Sequence, residues 1–515
     1  MIMKKLTQFI VNILKKRVIF NMSEYKVDLD IENKKIDNFL SSNKRRQTVV
    51  VQGIGFVGSA MLIALAQARN KKNELLYNVI GIDLKDNYHK IQSINEGGSP
   101  IVSLDPQINE GYRAAYQNGN LLATYSEYAY QHADIIVIDI NLDIKKTKPG
   151  LSREYDFNFD SFSKAICAVA KNIREETLIL LETTVPPGTT EKILYPIVRE
   201  AFLERKLDVN KIYLGYSYER VMPGANYLNS IINNHRVISG INPLSLDRVK
   251  KFLESFVNTH EFPLFELSST RAAETAKVLE NSFRAMNIAF IQEWTEFAEK
   301  LNINLFEVIE AIKVRPTHRN IMFPGFGVGG YCLTKDSLLA DWALRNFYSS
   351  DKHLDMSLDA IETNDLMPLY TFNLLKSEFP DLRNVHISIL GVSYLPDVAD
   401  SRYSPTELFY DKCVDEEAQV KVHDSLVTYW HEKKIDIIND LEVFSKTYQH
   451  DVVVLSIAHK EYLKLSSKRI LQLFEGVKLI IDASNIISDS IARELVEAGI
   501  KILGVGKGHW SHFPQ

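Results

Sequence analysis

Cys332 stands in GFGVGGYCLTKD, residues 325–336, beside Gly327, Gly329 and Gly330 and four residues before Asp336. Glycines let a backbone turn sharply and let a ligand come close. A thiol on such a loop is reachable by a substrate, and as a thiolate it can capture a carbonyl carbon covalently. Free cysteine is also among the most often buried residue types. Alone, the segment therefore reads equally as a Gly-rich turn over an inert thiol. Cys167 and Cys413 are the other two cysteines. Three is too few, and an odd number, for a disulfide framework, which predicts a reduced, cytoplasmic protein. The Cys and His spacing suits no structural zinc, and no metal is expected.

Other residues of chemical interest lie upstream. Lys277 and Asn281 are four apart in RAAETAKVLENSF, which puts them on one helix face; a lysine there is more often solvated. LETTVPPGTTE (181–191) reads as a strand leaving through Thr183, Thr184 and a Pro-Pro-Gly turn. GYSYERVMPG (215–224) places Glu219 and Arg220 just past another strand, where a surface ion pair is the ordinary alternative. Open α/β sheets bind ligands at such strand ends.

A cofactor signal lies nearer the N-terminus. Gly53, Gly55 and Gly58 form G-x-G-x-x-G in VVVQGIGFVGSAM, with Ile54, Phe56 and Val57 between them. The motif follows a strand and opens a helix. Asp83 closes the next strand, in VIGIDLK. The first glycine serves a tight turn, the second a close approach to pyrophosphate, the third helix–strand packing. A carboxylate at the second strand end accepts from a ribose 2′-OH and repels a 2′-phosphate, so NAD is expected rather than NADP.

The elements that must hold these residues alternate. Strand-like runs at 48–52, 78–83, 134–139, 178–185, 212–217 and 235–240 are separated by helical patterns, which predicts a parallel sheet with helices on both faces. From about Leu264 to Leu301 the chain lacks Gly and is rich in helix formers, so one long helix is expected. Residues 384–515 alternate again. The fold class expected is α/β: two Rossmann-like doubly wound parallel-sheet domains joined by a long central helix. The boundaries read as an N-terminal extension (1–45), a dinucleotide-binding domain (46–240), a central helical dimerisation and catalytic domain (241–370) and a C-terminal domain (371–515).

The bulk numbers bound the rest. The chain has 515 residues, a net charge of -5 and 45% hydrophobic residues. That is an ordinary soluble composition and argues against a general nucleic-acid binder. Residues 1–22 carry five basic residues and no acid, with apolar residues at helical spacing. Membrane-surface contact through this stretch is one reading. A dispensable extension, with translation starting at Met22, is the preferred one. The apolar run is too short to span a bilayer and lacks a signal-peptide cleavage site.

In combination and order, INEGGSPI (94–101), ETTVPPGT, YERVMPG, the KVLEN helix, GVGGYCLTKD and SYLPDVADSRYSP (393–405) resemble the UDP-glucose/GDP-mannose dehydrogenase family. The likeness runs from about Thr48 to the C-terminus. It implies oxidation of the C6 alcohol of a UDP-sugar to a carboxylate with two NAD+, in a homodimer or larger homo-oligomer. It implies that Cys332 attacks the intermediate aldehyde, forming a thiohemiacetal and then a thioester. Lys277 and Asn281 would stabilise the oxyanion, Asp336 and Thr184 would handle the first proton with a water, and Glu219 would assist hydrolysis. Gly53 to Gly58, Asp83, Thr184 and Arg402 are the implied cofactor contacts. Glu219, Arg220, Lys277, Asn281, Gly329, Arg319 and Tyr394 are the implied substrate contacts, Arg319 being only a loose counterpart of the family's interface arginine.

Departures from the family pattern are Tyr331 for a histidine, Thr334 for a proline, Tyr218 for a proline, and Leu395 for a lysine that contacts the sugar nucleotide. The RVMPG loop and the following RVISG are similar to the branch acting on UDP-N-acetylhexosamines. That favours UDP-N-acetylglucosamine or UDP-N-acetylmannosamine and a role in surface polysaccharide synthesis. UDP-glucose oxidation, a single-step dehydrogenase and a non-catalytic nucleotide-sugar-binding protein are the alternatives.

Overall fold

The computed structural model describes residues 22–43, 46–221, 224 and 226–513. The basic stretch of residues 1–22 lies, except for Met22, outside the described residues, as do Met222 and Pro223 of the RVMPG loop. Two compact units account for the rest. The first comprises the described residues to Asp143, Phe157–Val278 and Leu339–Lys352; the second comprises Ile144–Asp156, Leu279–Leu338 and His353 onward.

The first unit opens with helix α1 (Met22–Ser41). Ile36 on α1 is fully buried in the core of this unit, and Glu32 accepts a hydrogen bond from Thr124. Part of the segment read as an extension is thus packed structure. An eight-stranded sheet follows, built from β1 (Gln47–Gln52), β2 (Tyr77–Ile82), β3 (Leu121–Thr124), β4 (Ile135–Ile138), β5 (Leu178–Leu181), β6 (Tyr213–Tyr218), β7 (Val237–Gly240) and β8 (Phe265–Glu266). Its order is β8-β7-β6-β5-β4-β1-β2-β3. Side chains alternate between two cores: Val50, Ile136, Ile179 and Leu214 face one, Val49, Val137, Leu180 and Ile238 the other. Apolar runs without polar alternation are what a sheet covered on both faces requires.

Two strands depart from the parallel expectation, β7 and the short β8 that pairs parallel with it. β7 runs antiparallel to β6, pairing Tyr218 with Val237 and Gly215 with Gly240. A parallel return needs a crossover as long as the strand, usually through a helix. Among its described residues the link here holds a single six-residue helix, Tyr227–Ile232, and the chain doubles back instead. β3 and β8 were not read from sequence; β8 is two residues long, too short for a periodic signal, and β3 is LLAT, whose first half is only half-buried.

The second unit holds an all-parallel five-stranded sheet made of β9 (His386–Leu390), β10 (Gln419–His423), β11 (Val452–Leu455), β12 (Leu479–Asp482) and β13 (Lys501–Gly504), in the order β10-β9-β11-β12-β13. It too has a core on each face. The long helix predicted at 264–301 is α2, Thr270–Lys300, 31 residues without a break. No helix among the described residues is long and apolar enough to cross a membrane.

Candidate active site

The dinucleotide turn is built as its glycines predict. Gly53 leaves β1 at φ 101, a conformation L side chains rarely adopt. A Cβ on Gly58 would lie 1.9 Å from the Gly53 carbonyl oxygen, so only glycine lets helix Phe56–Gln67 start this close to the strand. A Cβ on Gly55 would meet nothing within 4 Å, and no side chain caps the helix it precedes. The positive end of that helix thus begins beside open space at Gly55, which suits a pyrophosphate. Asp83 follows β2 and accepts from the amides of Ile54 (3.1 Å) and Leu84 (2.7 Å) and from Asn87 (2.9 Å). It is fixed at the mouth of the turn, half-exposed.

Beyond the turn the first unit carries Thr184, Glu219, Arg220 and Lys277. Thr183 donates to the carbonyls of Ile138 and Ile140, which pins the strand exit and leaves Thr184 half-exposed beside it. The structure brings Lys277 and Glu219 together. Lys277 Nζ donates to the Glu219 backbone carbonyl at 3.0 Å and lies 3.6 Å from its carboxylate, both groups nearly buried. Lys277 is thus a buried ion-pair partner and not a solvated lysine. Arg220 donates to the His235 carbonyl and to the Tyr218 hydroxyl, bracing the turn between β6 and β7.

Sequence reasoning missed Glu274, one turn before Lys277 on α2. Fully buried, it accepts from the amides of Gly188 and Thr190 and from the Thr190 hydroxyl, at 2.5, 2.8 and 2.6 Å. It ties the Pro-Pro-Gly turn to the helix that carries Lys277. Burial pushes its carboxyl up to about 7 against these bonds. Its three-residue spacing from Lys277 was the available signal. Asp139, Glu182 and Arg236 were missed as well, and they face the same end of the sheet.

In the second unit Cys332 is exposed, whereas Cys167 and Cys413 are buried and their thiols are pushed up by burial. The inert-thiol reading applies to those two and not to Cys332. The carbonyl of Cys332 accepts from the amides of Lys335 and Asp336, closing a turn into the helix Asp336–Asn346. Asn281 donates to the buried carboxylate of Asp336 at 2.6 Å, and Lys335 Nζ lies 3.2 Å from its other oxygen. The glycines that precede Cys332 lie against the 393–405 motif. Gly330, at φ 80, abuts the ring of Tyr394, and Gly329 touches Tyr394 and the Tyr403 carbonyl. Tyr394 is pushed up to about 12 by burial, with Asp400 and Cys332 adding to it. Arg402 is held in a two-pronged ion pair by Asp400. Tyr331 packs near Tyr403 and beneath the Lys335 ammonium. Leu395 is 39% exposed, an apolar side chain at the position where the sugar-nucleotide lysine was expected. Arg319 is exposed and makes no hydrogen bond or ion pair among the described residues.

The two constellations can be compared with known proteins. Residues 47–257 match the NAD binding domain of the UDP-glucose/GDP-mannose dehydrogenase family, residues 271–365 its central domain, and residues 388–489 its UDP binding domain. The chain belongs to this family. It is an NAD-dependent nucleotide-sugar dehydrogenase. The UDP-N-acetyl-D-mannosamine dehydrogenase of Methanocaldococcus jannaschii is 29% identical to it over 467 residues, 89% of this chain and 96% of that one. The crystal structure of NDP-N-acetyl-D-galactosaminuronic acid dehydrogenase from Methanosarcina mazei Go1 matches with a TM-score of 0.75 at 25% identity, covering 93% of this chain and 99% of the other. A UDP-D-ManNAc dehydrogenase structure from Pyrococcus horikoshii gives 0.74 at 25% identity, covering 90% and 100%.

Proposed function

We propose that the chain oxidises the C6 alcohol of a UDP-N-acetylhexosamine, UDP-N-acetylmannosamine before UDP-N-acetylglucosamine, to the uronate in two steps through Cys332. The observation that carries this reading is an exposed thiol on a loop seated against Tyr394, with Asn281 and Asp336 hydrogen-bonded in the same unit. The relatives' substrates support the sugar class.

Bound NAD+ would take up the electrons of both oxidations, held by the Gly53–Gly58 turn with Asp83 toward the ribose. The roles of the protein's own groups follow from chemistry. Asp336, with Thr184 and a water, takes the proton of the C6 hydroxyl. Cys332 sulfur adds to the aldehyde carbon, and Lys277 and Asn281 stabilise the oxyanion of the thiohemiacetal. Oxidation of that adduct leaves a thioester. Glu219 takes a proton from the water that attacks it, and the C–S bond breaks with its electron pair on sulfur. Covalent capture keeps a reactive aldehyde from diffusing away. Arg220, Gly329, Arg319 and Tyr394 are assigned to the sugar nucleotide, and Arg402 to the cofactor side. A reduced cytoplasm keeps Cys332 competent, and the product would serve surface polysaccharide synthesis. The three family matches support the division into dinucleotide-binding, central and UDP-sugar-binding domains.

The decisive experiment measures NADH formed per nucleotide sugar across a panel of UDP-sugars and GDP-mannose. The expected result is two NADH from UDP-N-acetylmannosamine. Turnover of UDP-glucose alone would overturn the substrate assignment, and NADH from none of them would overturn the enzyme.

The second copy in the proposed homodimer is suggested by α2 and Leu301 just beyond its end. Leu279, Phe283, Phe290, Trp294, Phe297 and Leu301 fall at intervals of three, four and seven, and each is at least 44% exposed. Such a stripe on a soluble chain marks an interaction face. Trp294→Glu with Phe297→Glu should convert a dimer into monomers on sedimentation; a monomeric wild type would refute the assignment.

A further inference from the structure

A row of charged groups crosses the carboxyl end of the first sheet. The registers Ile138↔Leu181, Leu181↔Tyr216 and Tyr218↔Val237 set Asp139 beside Glu182, Glu182 beside Ser217, and Glu219 beside Arg236. Strand alternation puts all of them on the face of Val137, Leu180 and Ile238. The row exists because β7 is reversed; a parallel β7 would not return Arg236 to this edge.

The charges in this row do not balance. Arg236 Nη1 lies 2.5 Å from Glu182, with both side chains essentially without exposure. Lys277 pairs with Glu219. Asp139, half-buried as a residue, is the third carboxyl and has no cation of its own among the described residues. Its Oδ2 is buried with no hydrogen-bond partner among them, as are Glu182 Oε2 and Ser217 Oγ. Burial first, then Glu182 and Glu219, push the Asp139 carboxyl well above the usual range, with Arg236 opposing. Burial also pushes Glu182 up. Tyr227 also faces the row; burial keeps its phenol neutral and its hydroxyl donates to the Phe56 carbonyl. Two like carboxyls in a buried site cannot both ionise cheaply and titrate as a pair.

We propose that Asp139 and Glu182 share one proton at neutral pH, and that this proton, in place of a third cation, sets the charge around the Glu219–Lys277 pair. The functional half of this statement rests on the role proposed for Glu219. Asp139 is then a positioning residue. With the proton present, the row is neutral and Glu219 can receive a proton from the hydrolytic water. Without it, an uncompensated negative charge stands in the same row, opposing the oxyanion that Lys277 must stabilise. Activity should therefore fall on the alkaline side as the pair ionises.

Stability should follow the same titration. A carboxyl whose folded value is raised favours the folded state while protonated. Wild-type protein then loses stability as pH rises from the unfolded carboxylate range through the folded value. Asp139→Asn, which cannot ionise, should escape that loss.

The test is infrared difference spectroscopy of wild type against Asp139→Asn on the full chain. Glu274 and Glu299, both pushed up to about 7 by burial, contribute to either spectrum and cancel. The wild-type-minus-variant difference should still hold a protonated-carboxyl C=O band at neutral pH, lost on raising the pH. In parallel, the alkaline limb of kcat should shift by about one pH unit or more in the variant. No such band at neutral pH overturns the shared proton. A band with an unchanged pH–rate profile overturns its bearing on Glu219. If Asp139→Asn does not fold, Glu182→Gln supplies both the difference spectrum and the pH–rate profile in its place. These outcomes are separable from the proposed reaction, because two NADH formed by Cys332→Ser would refute that reaction and leave the band untouched.

Discussion

Cys332→Ser is expected to stop the reaction half-way, yielding at most one NADH per sugar and lowering complete turnover by on the order of 10³-fold or more. A serine hydroxyl is scarcely ionised at neutral pH, so the aldehyde is no longer captured as an adduct that can be oxidised again. No other thiol can stand in, since burial pushes Cys167 and Cys413 up and holds both inside the core. Intact-protein mass spectrometry supplies the complementary readout: a sugar-nucleotide adduct on wild type quenched in turnover, and none on the variant. Packing should not suffer, because Cys332 is exposed. A variant that folds as wild type and still delivers two NADH at the normal rate would remove the cysteine from the mechanism. A single-step dehydrogenase would instead give one NADH per sugar with or without the cysteine.

Lys277→Met carries the second large effect, and it strikes stability and activity together. The ammonium sits over the Glu219 carbonyl and beside its carboxylate, and both side chains are about nine-tenths buried. Removing the cation leaves a carboxylate without its partner in a poorly solvated place, at a cost of about 3 kcal/mol or more. It also removes a preorganised cation from the developing oxyanion, for a fall in kcat of roughly 10²–10³-fold. The two effects can be told apart. Glu219→Gln combined with Lys277→Met removes both charges, so stability should recover relative to the single lysine variant while kcat stays low. A thermal melt and a rate on each corner of that cycle suffice. If the double variant recovered rate as well, the lysine would be structural only.

Much of this architecture could be read from local pattern. The strands of both sheets are short runs of Val, Ile and Leu, and α2 is 31 residues of strong helix formers, signals that need no tertiary information. The turn at Gly53 announced itself because backbone geometry there tolerates only glycine. What stayed hidden depended on pairing across the chain. The direction of β7 is decided by a link whose helix is too short to carry the chain back, and nothing in HRVISG encodes that. Asp139 looked like the polar end of an apolar strand; that it lacks a counterion is visible only once Glu182, Glu219 and Arg236 are set in register beside it. Glu274 is an intermediate case, since its spacing from Lys277 was legible but its partners at Gly188 and Thr190 were not.

The seating of the cysteine loop has a consequence for how the gene can be recombined. Gly327 abuts Pro405, Gly329 abuts Tyr394 and the Tyr403 carbonyl, and Gly330 abuts the Tyr394 ring, with no room for a Cβ at any of the three. Two segments more than sixty residues apart therefore behave as one inherited part. A chimera that borrows its last domain from a relative, or a library that randomises residues 393–405 alone, would move the nucleophile without touching it. Shuffling would succeed only where both segments come from the same parent.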